Sequence, residues 1–252
     1  TKCNAALVEC VNPPELLFKT GNPLSLVKAV KDEAELAAMK EAHLKDSLAA
    51  VKWLCWLEST VTKGIQTITE VSAADKLEEF RKVTGGSSYV QPSFETISAV
   101  GPNAALPHYR PEEGKCSVLT VNEPYLADFG AHYTCGGTTD ITRTMFFGPA
   151  PSKEFIKANT VVLKSHIALA TAHFPSGTSC NILDTFAREV CWRYDMDYDH
   201  GTGHGIGAFS VVHELPILSQ RRDMPVLKGM VITIEPGFYP VGRFGIRIEN
   251  AG

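Results

Sequence analysis

Four carboxylates and one imidazole are the side chains of this sequence best suited to chemistry. In chain order they are Asp128, Asp140, His204, Glu235 and Glu249, within LADFGAHYTCGGTTDITRT, HGTGHGIG, ITIEPG and IRIEN. A set rich in oxygen ligands suits Mn(II), whereas a zinc site is typically made of softer ligands. One ion cannot easily use all five groups, whereas two ions can share bridging carboxylates. The set therefore predicts a two-metal hydrolase.

The first three ligand candidates also have structural interpretations. Asp128 and Asp140 lie 12 positions apart across a Gly-Gly turn, so a hairpin could bring both to one face. Two turn-capping aspartates would show the same spacing. His204 lies in a glycine-rich segment that could be a simple turn with an incidental histidine. A phosphate-binding loop is a third interpretation, but the buried strand and the helix that flank such loops are missing.

The last two carboxylates interrupt apolar strands, where a charge is costly unless it is paired or liganded. Glu235 ends the strand VITIEPG, and Glu249 breaks the alternation of FGIRIEN. Arg247 lies two positions before Glu249 and shares its face on a strand. A buried salt bridge between these two residues is therefore the structural alternative.

Apolar periodicity predicts the elements that must position these groups. Asp32 and Glu35 form a capping pair ahead of a long helix. The apolar stripe of this helix is predicted to contain Leu36, Met39, Leu44, Ala50, Trp53 and Leu57. Further helices are predicted over 69–83, 153–173 and 181–194, and strands over 123–147 and 231–249. This order indicates two similar αβ halves around one sheet.

Composition excludes several classes of protein. The 252 residues are 44% hydrophobic, which supports a sizeable core, and the net charge of −4 implies no general affinity for nucleic acid or anionic membranes. No apolar run approaches the roughly 18 residues of a membrane span. The seven cysteines contain no CxxC pair, so we expect reduced thiols in a cytoplasmic protein. Cys135 lies between two ligand candidates and is interpreted as a small residue of a strand or turn.

The two ends of the chain suggest a piece of a longer protein. The sequence begins at Thr1 without a methionine and stops three residues after Glu249. Residues 1–26 are interpreted as the end of a preceding N-terminal domain with a linker. Residues 27–252 are interpreted as a catalytic domain whose C terminus is truncated.

From about Ala29 onward the chain resembles the pita-bread metallopeptidases of family M24, and within them the Xaa-Pro aminopeptidases. The resemblance rests on HYRP, LADFGAHY, GGTTDITRTMFFG, HGTGHGIG with VHE, ITIEPGFY and GIRIEN, in this order. It implies an α+β pita-bread (creatinase/aminopeptidase) fold, with two αβ halves around a curved antiparallel sheet. It also implies a homodimer, formed through regions partly absent here.

The same resemblance implies two divalent metal ions, with Mn(II) favoured and Zn(II) or Co(II) as alternatives. Asp128 would chelate one ion, and Asp140 and Glu249 would bridge both. His204 and Glu235 would bind the ion that activates the peptide carbonyl. A hydroxide held between the ions would be the nucleophile, and Glu235 would handle its proton.

Five further residues match positions that surround the substrate in the family. His108 would contact the proline-side residue or the developing oxyanion. His213 would hydrogen-bond the scissile carbonyl or the gem-diolate. His200 would help to form the proline pocket. Tyr239 and Arg247 would lie near the site, with Arg247 orienting Glu249 or its neighbours.

The function implied is release of the N-terminal residue from peptides with proline at the second position. A prolidase, which cleaves Xaa-Pro dipeptides, is the nearest alternative and would need a feature that captures the proline carboxylate. A methionine aminopeptidase fits the histidine spacing and the TTDITRT string less well. A non-catalytic pita-bread binding module would bind no metal, and a nucleotide-binding enzyme would be insensitive to chelators.

Overall fold

The computed structural model describes residues 5–11, 15, 22 and 24–252. Its helices are α1 Ala5–Glu9, α2 Leu24–Ala29, α3 Glu33–Lys63, α4 Glu70–Gly85, α5 Lys153–Ala170 and α6 Cys180–Trp192. Its strands are β1 Tyr89–Pro92, β2 Ile97–Val100, β3 Tyr125–Phe129, β4 Ala131–Tyr133, β5 Gly137–Thr138, β6 Ile141–Met145, β7 Gly203–Gly205, β8 Glu214–Leu218, β9 Thr233–Ile234, β10 Gly237–Phe238, β11 Ile246–Arg247 and β12 Asn250–Ala251.

Two helices followed by a group of strands occur twice along the chain. This order matches the prediction of two αβ halves. In the first half α3 and α4 precede the ladders β1-β4-β5 and β2-β3-β6. In the second half α5 and α6 precede the pairs β7-β8, β9-β12 and β10-β11. Every named ladder is antiparallel. The α+β class is thus confirmed. The described strands form five short sheets, and the three in the second half have two strands each.

The long helix α3 begins as the sequence predicts. The Asp32 Oδ1 atom accepts from the Glu35 backbone N–H at 2.8 Å, and the Asp32 N–H donates to Glu35 Oε2 at 3.0 Å. Leu44, which we placed on the apolar stripe, is 74% exposed, so this part of the prediction is wrong. Position 44 lies two residues, about 200° around the helix, from the buried Asp46.

Trp53 is the centre of the packing between α3 and the strand that carries Asp128. Its ring meets Tyr125 and Phe129 edge-on at centroid distances of 6.3 and 5.4 Å, and its indole N–H donates to the Ala73 carbonyl at 2.9 Å. Side chains alternate between the two faces of a strand. The β3 residues that pack under the helices therefore direct Asp128 to the opposite face.

A buried ion pair links α3 and α4 to the chain just before Asp140. Asp46 accepts two hydrogen bonds from Arg81, at 2.8 and 3.1 Å, and neither side chain is more than 3% exposed. Asp46 also accepts from the Thr139 hydroxyl at 2.6 Å and from the Tyr133 hydroxyl at 3.1 Å. Since Thr139 precedes Asp140 directly, this pair helps to fix one ligand candidate.

The ends of the helices differ from prediction by a few residues. The helices predicted over 69–83 and 181–194 are Glu70–Gly85 and Cys180–Trp192. The helix predicted over 153–173 ends at Ala170, four residues before the Phe174-Pro175 step, where the helical conformation is disfavoured.

The predicted boundary between residues 26 and 27 falls within α2, which runs unbroken from Leu24 to Ala29. Residues 1–4, 12–14, 16–21 and 23 of the predicted linker segment lie outside the described residues. The division into two regions stays a prediction.

The cysteines of the described chain are free thiols. Cys135 lies in the turn between β4 and β5, where its thiol donates to the Ala38 carbonyl at 3.4 Å. Its position in a turn agrees with the structural interpretation of this residue. Among the described helices, none combines the length and hydrophobicity that a membrane span requires.

We predict that Asp46→Ala lowers the free energy of unfolding by about 3–5 kcal/mol, because it leaves the buried Arg81 guanidinium without its main partner. Urea denaturation measures this change. The control is Glu79→Ala, which breaks the exposed pair with Lys76 and is expected to cost less than about 1 kcal/mol. Equal effects of the two substitutions would contradict the assignment.

Candidate metal centre

The five ligand candidates come from five different segments and line one cavity of about 860 Å³. Asp128 lies within β3 and His204 within β7. Asp140 lies directly before β6, Glu235 directly after β9, and Glu249 between β11 and β12. The two αβ halves therefore both contribute to the site.

Three of the five groups are close enough to share an ion. Single ligand atoms of Asp140, His204 and Glu249 all lie within 4.8 Å of one another. The His204 Nε2 atom lies 3.4 Å from Asp140 Oδ2 and 3.4 Å from Glu235 Oε1. His204 Nδ1 lies 3.0 Å from the Gly205 carbonyl, so in the neutral ring Nδ1 carries the proton. The lone pair on Nε2 then faces the carboxylates, which is the tautomer that a metal ligand needs.

The site concentrates negative charge in a buried place. Burial raises the pKa of Asp140 well above its ordinary value, and the charges of Asp128 and Glu235 raise it further. Burial also raises the pKa of Glu249 well above its ordinary value, with Asp140 as the next cause. Burial raises the pKa of Glu235 as well, while His204 opposes this change. Divalent cations would offset the repulsion that these carboxylates share.

Two carboxylate oxygens show directly that the residues fit metal ions. Asp128 Oδ1 and Glu249 Oε1 are buried and accept no hydrogen bond from the described residues. The other oxygen of each group is held by the protein: Arg247 donates to Asp128 Oδ2 at 2.7 Å, and Thr142 donates to Glu249 Oε2 at 2.6 Å. Buried acceptors are rarely left without a partner. Coordination of a cation would satisfy both oxygens.

Arg247 is held on three sides, and its acidic partner is Asp128. Its other donors reach the Thr142 hydroxyl at 3.1 Å and the Tyr239 hydroxyl at 2.9 Å. The structural alternative of a direct pair between Arg247 and Glu249 is not observed, because the ion pair is made with Asp128. Thr142 links the two residues, because it accepts from Arg247 and donates to Glu249.

A directed chain of hydrogen bonds fixes the ring of His200, which lines the cavity. Arg247 donates to the Tyr239 oxygen, the Tyr239 hydroxyl lies 2.8 Å from His200 Nε2, and His200 Nδ1 lies 2.8 Å from the Gly201 carbonyl. Since a guanidinium only donates and a carbonyl only accepts, the tyrosine must donate to the histidine. Burial lowers the pKa of His200 to about 3, so the ring is neutral as this chain requires.

Buried charges also hold the segments on which His200 and His213 lie. Arg188 of α6 pairs with Asp184 and donates to the His200 carbonyl at 2.6 Å. Lys31, whose side chain is fully buried, pairs with Glu214 next to His213. The ring of His213 stands edge-on to that of His204 at a centroid distance of 4.2 Å.

His108 also lines the cavity and lies in a loop that precedes β3. His43, His132, His166 and His173 are not among the residues that line it. The structure therefore brings together all five ligand candidates and three of the substrate-site candidates, His108, His200 and His213. Tyr239 hydrogen-bonds the His200 ring without itself lining the cavity, and Arg247 lines the cavity.

Glycines around His204 allow close approach of the backbone. A Cβ atom on Gly203 would lie 1.9 Å from the Thr233 carbonyl oxygen, and one on Gly205 would lie 2.0 Å from the Leu215 carbonyl oxygen. β7 can thus lie between neighbouring segments and bring His204 to the carboxylates. In the described chain no helix follows β7, which argues against a phosphate-binding loop.

Sequence reasoning missed two threonines that hold the carboxylates. Thr142 donates to Glu249, and the Thr233 hydroxyl donates to Glu235 Oε1 at 3.1 Å while accepting from the His204 N–H at 3.0 Å. Each threonine lies two positions from a ligand candidate in its own strand region. The period of two along a strand could have placed each on the ligand face.

The model of metallopeptidase family M24 matches residues 37–251. Over 233 residues the chain is 48% identical to a Neurospora crassa protein named probable Xaa-Pro aminopeptidase P, covering 91% of this chain and 34% of that protein.

Solved structures show the same similarity. An X-prolyl aminopeptidase from Caenorhabditis elegans, described as a cytosolic enzyme with a di-nuclear active site, superposes with a TM-score of 0.85 at 45% identity, covering 91% of this chain and 37% of that one. A prolidase from Thermococcus sibiricus gives a TM-score of 0.78 at 33% identity, covering 90% of this chain and 58% of that one. This chain thus spans little more than a third of the Neurospora and Caenorhabditis proteins.

We predict a pH dependence of stability that divalent ions reduce. Without them, the raised pKa values of Asp140, Glu235 and Glu249 mean that the folded state binds more protons than the unfolded state. The free energy of unfolding then falls as the pH rises above about 4, where these carboxyls ionise in the unfolded chain.

Calorimetry at pH 5 and pH 8, after EDTA treatment and with Mn(II), measures the effect. We expect the EDTA-treated protein to lose more stability over this interval than the Mn(II) sample. Glu249→Gln should flatten the slope of the EDTA-treated protein. Identical slopes in all three samples would show that the carboxylates do not repel as described.

Proposed function

The chain belongs to metallopeptidase family M24, and on this premise we propose that it carries the active site of an Xaa-Pro aminopeptidase. Such an enzyme releases the N-terminal residue of a peptide that has proline in second position. The observation that carries the proposal is the cluster of five ligand candidates in one cavity, with buried oxygens of Asp128 and Glu249 that accept no hydrogen bond from the described residues. The names of the Neurospora and Caenorhabditis relatives support the substrate class.

We propose that these residues hold two divalent ions, with Mn(II) as the metal. Four carboxylates and one imidazole favour a hard ion by ligand type, although intrinsic affinity would favour Zn(II). The description of the Caenorhabditis enzyme as di-nuclear supports the number of ions. When bound, the pair of ions would polarise the scissile carbonyl and make hydroxide available near neutral pH.

We propose a role for each ligand, and the positions of the side chains support these roles. Asp140 and Glu249, with ligand atoms close to each other and to His204, suit the two bridging positions. Asp128 is oriented by Arg247 and would chelate one ion. His204 and Glu235, 3.4 Å apart, would hold the other.

Glu235 is also the candidate for moving the proton of the nucleophile. Its side chain is 16% exposed, it lines the cavity, and its Oε1 is held by the Thr233 hydroxyl. A carboxylate fixed in this way can accept a proton from the attacking water and deliver it to the departing amine.

Three histidines suit a bond that precedes proline. This bond is a tertiary amide without an N–H, so the site must recognise the pyrrolidine ring by shape. His108, His200 and His213 supply flat rings around the cavity. We assign His200 to the proline pocket, His108 to the proline-side residue or the oxyanion, and His213 to hydrogen bonding of the carbonyl oxygen.

The proposal also covers the location of the protein, its domains and its assembly. The Caenorhabditis relative is described as cytosolic, which supports a cytoplasmic location for this protein. We further propose that residues 27–252 form the catalytic domain and that the whole protein is a homodimer.

The test is cleavage of three peptides with and without Mn(II), read by mass spectrometry. We predict Mn(II)-dependent release of the first residue from Ala-Pro-Ala, with little cleavage of the dipeptide Ala-Pro or of a Met-Ala peptide. Cleavage of the dipeptide alone would move the assignment to a prolidase, a function that the Thermococcus relative carries. No cleavage of any peptide by a protein shown to contain metal would contradict the proposal.

Two variants separate metal binding from substrate contact. His204→Ala should abolish Mn(II)-dependent turnover because it removes the only imidazole among the ligands, while the protein stays folded. His213→Ala should lower kcat far more than it lowers metal content, which inductively coupled plasma mass spectrometry measures. Full activity of His204→Ala would contradict the ligand assignment.

A further inference from the structure

The loop over 106–117, which carries His108, contains no helix or strand. His108 is exposed and lines the cavity. No backbone ladder fixes this loop. A turn hydrogen bond from the Tyr109 N–H to the Leu106 carbonyl, at 2.9 Å, shapes the backbone locally around His108, and side-chain contacts tie the loop to the rest of the fold. Two of these contacts, from Tyr109 and Ser117, converge on one buried residue, Glu70.

Glu70 is the first residue of α4 and is completely buried. Its carboxylate accepts from the Val100 N–H at 2.6 Å, the Asn103 amide at 2.9 Å, the Ser117 N–H at 2.8 Å and the Tyr109 hydroxyl at 2.8 Å. Among the described residues it makes no ion pair, so these donors and the helix N-terminus are what stabilise it.

The donors to Glu70 lie on both sides of His108 along the chain. Val100 and Asn103 precede the histidine, and Tyr109 and Ser117 follow it. The Tyr109 ring packs against the cluster of Ile97, Ala99, Ala104 and Leu126. The Tyr109 side chain thus hydrogen-bonds the buried Glu70, while the adjacent His108 lines the cavity.

We infer that Glu70, through the Tyr109 hydroxyl, is a positioning residue for His108 in the substrate site. This inference rests on the proposed function for the role of His108. Consecutive Cα atoms are about 3.8 Å apart, so a fixed Tyr109 leaves His108 little freedom. If the tyrosine is released, the imidazole loses its set position against the substrate while the metal ligands are left in place.

The primary variant is Tyr109→Phe, which keeps the ring and removes only the hydroxyl. We expect kcat/KM for Ala-Pro-Ala to fall about tenfold, the order of magnitude of a lost hydrogen bond to a charged group, with unchanged metal content. The matched control is Tyr89→Phe. It removes another tyrosine-to-glutamate hydrogen bond, to Glu78, away from the cavity lining, and should change kcat/KM by less than about twofold.

A double-mutant cycle separates positioning from general stabilisation. If Tyr109 acts through His108, adding Tyr109→Phe to His108→Ala should change kcat/KM by less than about twofold. A further tenfold loss in the His108→Ala background would overturn the inference. An unchanged kcat/KM for Tyr109→Phe alone would overturn it as well.

A spectroscopic readout makes the test independent of turnover. Proton–carbon NMR of the histidine rings, recorded on protein loaded with diamagnetic Zn(II), contains a His108 signal that is assigned by its loss in His108→Ala. Tyr109→Phe should shift or broaden this signal, and Tyr89→Phe should not. An unmoved signal in Tyr109→Phe would overturn the inference. If the wild-type protein cleaves no Xaa-Pro peptide, the proposed function fails, and the NMR result still decides whether the Tyr109 hydroxyl positions His108.

Discussion

Four carboxylates held together in a largely buried cavity are the constraint on which the rest of the structure depends. Burial raises the pKa values of three of them, Asp140, Glu235 and Glu249. Among the described side chains, the Arg247 guanidinium donates to Asp128, and the hydroxyls of Thr142 and Thr233 donate to Glu249 and Glu235. The guanidinium offsets the charge of one carboxylate, and the hydroxyls orient two others without neutralising them. The remaining charge is what suits the cavity to divalent cations.

The hydrophobic core and the polar site are two faces of the same strands. In β3 the residues Tyr125, Ala127 and Phe129 pack beneath the helices, and the intervening Asp128 faces the cavity. Buried charges then connect the helices to the loops around the site. Asp46 reaches Thr139, Arg188 reaches the His200 carbonyl, and Glu70 reaches Tyr109. The helices therefore help to position the loops of the site, and they also pack against the apolar face of the strands.

Local patterns in the sequence account for much of this arrangement. The capping pair before α3 and the order of the elements could be read from residue spacing. The ligand strings needed the resemblance to family M24 as well, because spacing alone left structural alternatives open. Pairings over long distances could not be read from spacing, because spacing says nothing about partners that are remote in the chain. Arg247 pairs with Asp128 across 119 positions, and Thr139 binds Asp46 across 93. Local spacing can also mislead. Leu44 is an apolar residue at a spacing that suits the buried stripe, yet it lies on the exposed face of its helix.

The most direct test of this account is a crystal structure of the Mn(II)-soaked protein, with anomalous scattering used to locate the metal. The account predicts two ions in the cavity, with Asp128 Oδ1 and Glu249 Oε1, the buried oxygens that accept no hydrogen bond from the described residues, among their ligands. A cavity that holds no ion after soaking, or ions that leave both of these oxygens uncoordinated, would contradict it.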